Sequence, residues 1–215
     1  MGELLIDFQS VGTGSLKDTQ QFVKKAGGAP ANVCVQAAKL GTDCAYLSKV
    51  GKDAFGDFLV ETLAREGVDV SHVGRSDKHD TSLAFVSFAD NGEREFSFYR
   101  RTAADLSFTP SDFADVIFER GDVLEFGSVA LASEEARQTH LDLIDRAHAA
   151  GATVCFDPNL RFNLWDKEQL RQTVRRFAPL ADVIKVGKDE LELSPSKWDR
   201  PRHKPCSTAK RNCFW

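Results

Sequence analysis

The sequence lacks the features that would direct this chain to a membrane or to nucleic acid. No apolar run approaches the roughly 20 residues that a membrane-spanning helix needs. Residues 1–7 have neither the basic start nor the long apolar stretch of a secretory signal. The formal net charge of −4 over 215 residues gives no reason to expect a nucleic-acid partner. We therefore expect a protein that binds neither membranes nor nucleic acids.

Cysteine is also sparse. The five cysteines are scattered, odd in number and without the spacing of a metal site, and this usage favours a reducing, cytoplasmic location. There is no internal repeat and no low-complexity segment. A hydrophobic content of 42% with 28% charged residues is ordinary for a globular protein. The length fits one domain with a real core.

Alternating strand and helix patterns predict an α/β fold. The predicted strands are short apolar runs, at residues 4–6, 44–50, 123–126, 152–156 and 182–186. The predicted helices begin at or directly after a capping residue or a proline, and most of them end just before a glycine. They cover residues 31–40, 54–66, 134–150 and 166–177. This order predicts a parallel sheet with right-handed crossovers and helices on both faces.

Two segments interrupt the alternation. Residues 11–25 are polar and suit an exposed loop or an edge hairpin. Residues 81–88 and 94–100 read as strands joined by the turn Asp90-Asn91-Gly92-Glu93. We expect the regions 11–25 and 81–101 to form a small separate sheet, a lid that would exclude water during transfer to a hydroxyl group.

A glycine pair precedes the first predicted helix. Gly27 and Gly28 allow close backbone approach or positive φ, and Pro30 suits a first helical turn. The helix that follows is apolar on almost every face, which predicts burial, so Asn32 needs a protein or ligand partner. Taken alone, such a glycine pair is explained more often by a tight loop than by a ligand site.

Polar side chains recur where the predicted strands end. In open α/β sheets these ends line one edge, at which ligands bind. A single acid after a strand is usually a turn or cap residue, but four positions on one edge favour a site. They are Asp7, Ser128, Asp157 with Asn159 and Arg161, and Glu190.

Several motifs resemble those of the PfkB (ribokinase-like) carbohydrate kinases. Residues 27–32, followed by Gly41 and then residues 49–56, are similar to the N-terminal signature of that family. Residues 157–161 with Leu164 and Trp165, and residues 93–100, resemble its fructokinase-like and ketodeoxygluconate kinase-like members. Cys34 departs from the signature, which usually has Ser, Thr or Ala there.

The resemblance implies a ribokinase-like parallel sheet flanked by helices, with a small β lid. It also implies ATP-dependent phosphorylation of a sugar hydroxyl. Conversion of fructose to fructose 6-phosphate is the first expectation, and ribose or ketodeoxygluconate phosphorylation the next. The implied cofactors are ATP and Mg²⁺, the implied substrate is a small-molecule sugar, and a homodimer through the lid is a further expectation.

The resemblance also assigns roles to residues. The expected substrate-binding residues are Asp7, Gly27, Gly28, Asn32, Arg100, Asp157, Asn159 and Arg161. Lys185 and Glu190 are expected at the cofactor, with Glu190 reaching Mg²⁺ through water. For Arg100, a plain surface position on an edge strand is an equal alternative. Gly187 stands where the family normally carries Ser or Asn, which removes a hydrogen-bonding side chain near the metal and phosphate.

The resemblance ends at about residue 193, so we expect a kinase core over residues 1–193. The Gly-Ala-Gly-Asp run of the family, whose Asp is the base for the sugar hydroxyl, does not occur in this sequence. No catalytic base is therefore assigned. Residues 194–215 are basic and punctuated by proline, which predicts a disordered tail of the kind that a frameshift, a premature stop or alternative processing would produce.

Three hypotheses follow from the sequence. The first is an ATP-dependent sugar kinase. The second is an inactive truncated homologue that binds sugar or pairs with a full-length kinase. The third is an unstable fragment with an exposed apolar sheet edge.

Overall fold

The computed structural model describes residues 1–162, 164, 166–187 and 190. The tail predicted for residues 194–215 and the motif residue Trp165 lie outside the described residues. The described strands are β1 (Leu5–Ser10), β2 (Phe22–Gly27), β3 (Ser48–Gly51), β4 (Val73–Ser76), β5 (Ser82–Phe88), β6 (Arg94–Tyr99), β7 (Val123–Gly127), β8 (Thr153–Asp157) and β9 (Val183–Ile184). The described helices are α1 (Ala29–Lys39), α2 (Ala54–Arg65), α3 (Glu134–Ala150) and α4 (Lys167–Phe177).

The strands form parallel and mixed sheets, as an α/β fold requires. β7, β8 and β9 make a three-stranded parallel sheet, and β3 and β4 make a parallel pair. The first two residues connect them, because the Met1 amine donates to the Glu125 carbonyl at 2.6 Å and the Gly2 amide donates to the Leu47 carbonyl at 3.2 Å. The predicted α/β class is confirmed.

A separate four-stranded sheet has the order β2-β1-β5-β6. β1 pairs antiparallel with β2 and parallel with β5, and β6 returns antiparallel along β5. Of the two segments that interrupt the α/β alternation, the second forms β5 and β6, whereas only the end of the first, from Phe22 onward, lies in this sheet as part of β2. Its role as a lid stays a prediction.

The helices begin where the sequence supplies a cap. Asp53, Ser133 and Asp166 each accept hydrogen bonds from amides in the first turn of α2, α3 and α4, respectively. α3 ends at Gly151, whose φ of 78° is the left-handed conformation that glycine adopts without strain. These local signals explain why the predicted helix bounds agree with the structure to within two residues.

Three predictions about elements were wrong or incomplete. Asp7 is not a turn or cap residue at a strand end, because β1 continues to Ser10 once it pairs with β2 and β5. α1 is not buried on every face, since Val33 is 49% exposed and the described core covers only one side of the helix. β4 was missed because four residues give too little periodicity to recognise.

The described core contains two hydrophobic clusters. One contains Leu4, Ile6, Tyr46, Leu59 and Leu63, with Cys34 packed against it, so the unusual small residue in α1 fits its surroundings. The other surrounds the stacked rings of Phe126 and Phe156, whose centroids are 4.7 Å apart, and receives the buried faces of α3 and α4. No helix among the described residues is long and apolar enough to cross a membrane.

Candidate functional site

Asp7 lies in the middle of β1, with its carboxylate against Gly27 of the neighbouring strand. A Cβ on Gly27 would lie 2.8 Å from the Asp7 carboxyl carbon, so no larger residue fits at position 27 without displacing the acid. Burial raises the pKa of Asp7, and the positive charge of Arg161 partly opposes that rise. The structure therefore brings together Asp7, Gly27 and Arg161, three residues that the sequence assigned to one site.

Gly28 is the N-cap of α1 and has a φ of 113°, a conformation that side chains with a Cβ rarely adopt. A Cβ there would overlap the Glu3 carbonyl oxygen and lie 3.1 Å from its carbon. Pro30 occupies the first turn, as predicted. The expectation that Asn32 is buried and needs a partner is wrong, because its side chain is exposed; its main-chain amide donates to the Gly28 carbonyl at 3.0 Å. The first turn of α1 thus begins directly at the glycine pair.

The ends of β7 and β8 meet this turn. Gly127 pairs with Asp157 in the parallel register, and a Cβ on Gly127 would lie 3.2 Å from the Asp157 carbonyl oxygen and 3.7 Å from Pro30 Cγ. The next residue, Ser128, is buried, and its hydroxyl has no hydrogen-bond partner. Such a buried polar atom is rare in proteins, and Ser128 is therefore a candidate to hydrogen-bond a bound molecule or water. The strand-end pattern in the sequence had marked this serine.

The loop after β8 carries a strained backbone. Asn159 has a φ of 39°, and among the described residues it alone combines a positive φ with a side chain. Its amide donates to Asp157 Oδ1 at 3.2 Å, while Lys185 Nζ donates to Asp157 Oδ2 at 2.7 Å. Asp157 is buried, and its carboxylate forms an ion pair with Lys185, which directly follows β9.

Glu190 joins the loops that follow β8 and β9. Its carboxylate accepts one hydrogen bond from the Leu160 amide at 2.8 Å and one from the Gly187 amide at 2.7 Å. A Cβ on Gly187 would lie 3.3 Å from Glu190 Oε2, which explains why a glycine suits this position. Each oxygen keeps a lone pair for a metal-bound water. Among the described residues no three His, Cys, Asp or Glu side chains form a direct metal site.

Arg100 is buried, and its side chain contacts the residue that follows Ser128. Its guanidinium donates to Asp105 Oδ2 at 2.8 Å and to the Val129 carbonyl at 2.9 Å, with a longer contact to Ser82 Oγ at 3.4 Å. The surface alternative is wrong, because Arg100 is only 6% exposed. Since every guanidinium nitrogen has a protein partner, the geometry favours a structural role, and a sugar contact by Arg100 stays a prediction.

Sequence reasoning missed two acids. Glu3 is 2% exposed, and its Oε1 accepts a hydrogen bond from the Ala29 amide at 3.0 Å. Glu125 lies in β7, where burial raises the pKa of its carboxyl group and the charge of Asp157 raises it further. For Glu125, an acid within an otherwise apolar strand pattern is the signal that could have identified it, whereas Glu3 precedes β1 and has no such signal.

Comparison with known proteins gives the same assignment as the motifs. Residues 1–202 match the protein family described as "pfkB family carbohydrate kinase". Fructokinase-1 of Oryza sativa subsp. japonica is 41% identical over 194 residues, which are 89% of this chain and 60% of that protein.

Solved structures agree. The crystal structure of fructokinase with bound ATP from Xylella fastidiosa is 37% identical with a TM-score of 0.81, covering 89% of this chain and 61% of that one. Fructokinase from Vibrio cholerae O395 in a fructose, ADP and calcium ion bound form is 36% identical with a TM-score of 0.80, covering 89% and 60%. The chain therefore spans about three fifths of the length of these relatives.

Proposed function

Because this chain belongs to the pfkB family of carbohydrate kinases, we propose that it serves ATP-dependent phosphorylation of fructose to fructose 6-phosphate. One observation carries the proposal. The Asp7 carboxylate lies against Gly27, beside the first turn of α1, and interacts electrostatically with Arg161 from the loop after β8. An acid, a glycine pair and a cationic loop that lie close together suit a polyhydroxylated substrate that becomes phosphorylated.

The sugar is held by the residues around the glycine pair. The Asp7 carboxylate accepts hydrogen bonds from sugar hydroxyls, and charge-assisted bonds of this kind are the stronger ones. Because Gly27 has no side chain, the Asp7 carboxylate keeps its place beside the start of α1. Asn32, exposed on the first turn of α1, supplies an amide that can both donate and accept.

The loops after β8 and β9 bind the phosphate groups. We assign Asp157, Asn159 and Arg161 to the region between sugar and phosphate, and Lys185 to the phosphates of ATP. Glu190 fits an indirect metal role, since its oxygens can still accept from metal-bound water. Mg²⁺ supplies neutralisation of the charge that develops during phosphoryl transfer. No residue of this chain is assigned as the base for the sugar hydroxyl.

We further propose that the four-stranded sheet is the lid and that a homodimer forms through it. β2 and β6 are its outer strands, and their side chains are partly or fully exposed. An exposed strand edge offers unpaired backbone groups to a second copy. A cytoplasmic location is part of this proposal, because the three described cysteines are free thiols.

The sharpest test compares Asp7→Asn with Glu61→Gln in the full 215-residue chain. Asp7→Asn removes the negative charge but keeps the shape, whereas Glu61 lies exposed on α2, away from the site. Isothermal calorimetry should show fructose binding by the wild type and by Glu61→Gln. Asp7→Asn should weaken binding by roughly tenfold or more, the worth of a hydrogen bond to a charged group.

Fructose-dependent ADP release, measured beside the calorimetry, separates the remaining possibilities. Release by the wild-type chain supports the full kinase reaction. Binding without release restricts the proposal to the sugar-binding half of that reaction. A wild type that ignores fructose, or an Asp7→Asn variant that binds it normally, contradicts the proposed site.

A further inference from the structure

We propose that Glu3 is a positioning residue for fructose binding, which holds the glycine pair in place by fixing the first turn of α1. The inference rests on the proposed function, because it concerns the affinity of that same sugar site. Glu3 does not contact the sugar in this proposal. It acts through Gly28 and Ala29.

Glu3 contacts the start of α1 in two ways. Its carboxylate accepts a hydrogen bond from the Ala29 amide at 3.0 Å, and its main-chain carbonyl lies directly against the Cα of Gly28. That carbonyl is itself fixed, because the hydroxyl of Tyr46 donates to it at 2.7 Å. Gly28 provides no side-chain cap for α1, so the Glu3 carboxylate takes over the capping function from a distant position in the chain.

A carboxyl group is an unusual choice for this position. Glu3 is only 2% exposed, and its Oε2 has no hydrogen-bond partner. A buried polar atom without a partner destabilises a protein. What the carboxylate provides is a strong acceptor for the first-turn amide of Ala29, because hydrogen bonds to an ionised group are stronger than neutral ones.

The surroundings of Glu3 bring the pKa of its carboxyl group close to neutral pH. Burial raises its pKa to about 7, with the charge of Arg100 opposing the rise and Asp105 adding to it. Two further groups interact with Glu3, the Met1 amine and the Tyr46 phenol. At neutral pH the Ala29 amide thus meets an ionised carboxylate in part of the molecules and a neutral acid in the rest. Only the ionised form makes the charge-assisted bond.

The hydrogen bond itself can be tested by nuclear magnetic resonance on the ¹⁵N-labelled full chain. The Ala29 amide should shift with pH along a single titration curve whose midpoint is near pH 7, and Glu3→Gln should abolish that titration. The Ala136 amide of α3 is an internal control, because it donates to the uncharged hydroxyl of Ser133 at 3.0 Å. An Ala29 amide that does not titrate between pH 5.5 and 8.5 overturns the proposal.

The functional consequence is tested by measuring the fructose dissociation constant from pH 6 to pH 8. Glu3→Gln keeps a neutral acceptor for the Ala29 amide but cannot ionise. At pH 8 it should bind fructose about fivefold more weakly than the wild type, the difference between a charge-assisted and a neutral hydrogen bond. At pH 6, where wild-type Glu3 is mostly protonated, the two affinities should converge.

The outcomes separate this inference from the proposed function. Equal fructose affinity in the wild type and Glu3→Gln at pH 8 refutes the role of Glu3 while the sugar site stands. A wild type whose Ala29 amide titrates but which binds no fructose refutes the proposed function, and with it the link from Glu3 to sugar. A purely structural Glu3 would change the melting temperature and leave the ratio of the two affinities independent of pH.

Discussion

The two glycines that begin the site are required for different physical reasons. Gly27 has an ordinary backbone conformation, but its missing Cβ leaves room for the Asp7 carboxylate. Gly28 has a φ of 113° and also lies against the Glu3 carbonyl. A substitution at position 27 would therefore displace the Asp7 carboxylate, for which we propose a role in sugar binding. A substitution at position 28 would force the backbone itself to move.

Replacement of Gly28 by Ala is expected to destabilise the chain far more than replacement of Gly41 by Ala. Both glycines have positive φ, 113° and 88°, but a Cβ on Gly41 would meet no atom within 4 Å. Gly41→Ala should therefore reveal only backbone strain, about 1 kcal/mol. Gly28→Ala adds a clash with main-chain atoms and should lower the free energy of unfolding by roughly 3 kcal/mol or more. Urea denaturation measures both, and equal losses would contradict the account of Gly28.

At the scale of elements, Asp53 connects a helix to a strand. Its Oδ1 accepts from the amides of Phe55 and Gly56, the first turn of α2, at 3.0 and 2.8 Å. The same carboxylate accepts from the amide and the hydroxyl of Thr81, immediately before β5, both at 2.9 Å. One side chain thus caps α2 and fixes the point at which the chain enters the four-stranded sheet.

Asp53→Ala is expected to be more damaging than Asp166→Ala. Asp166 caps α4 with bonds to the amides of Glu168 and Gln169 alone. Its loss should lower the free energy of unfolding by about 1 kcal/mol, the usual worth of an N-cap. Asp53→Ala also leaves the Thr81 amide without its acceptor, so the loss should reach about 2–3 kcal/mol. Chemical denaturation of the two variants measures both losses of unfolding free energy. Equal losses would show that the hydrogen bonds to Thr81 contribute nothing to stability.

The same elements show how much the sequence could predict. α2, α3 and α4 were predictable because their caps and their apolar periodicity are both local. The burial of α1 and the continuation of β1 past Asp7 depend on which distant segments pack against them, and no local pattern contains that information. In the site, Asp7 and Asp157 followed from their places in or after apolar strands. The buried partners of Arg100 depend on a turn at Asp105 that no local sequence pattern predicts.

At the scale of the whole molecule, two buried groups oppose each other in their response to pH. Glu3 has its pKa raised by burial to about 7, so the folded chain holds a proton that the unfolded chain releases above its ordinary value of 4.5. This proton uptake stabilises the folded chain at low pH, and the contribution is lost as the pH rises from 4.5 through 7. His140, packed between Phe108 and Phe126, has its pKa lowered by burial from 6.5 to about 3. Its contribution is lost as the pH falls below 6.5.

Between about pH 4.5 and 6.5 the two effects cancel, since folding binds one proton at Glu3 and excludes one at His140. In each single variant, the change of the unfolding free energy with pH should therefore show the effect of the remaining group alone. Relative to the wild type, Glu3→Gln should lose about 1.4 kcal/mol of unfolding free energy for each pH unit of acidification in this window, and His140→Gln should gain about as much. The double variant lacks both groups, so its slope should return to that of the wild type even though its stability differs. Urea denaturation at pH 5.0, 5.5 and 6.0 measures these slopes, and four parallel curves would show that neither group is buried in the state from which the chain unfolds.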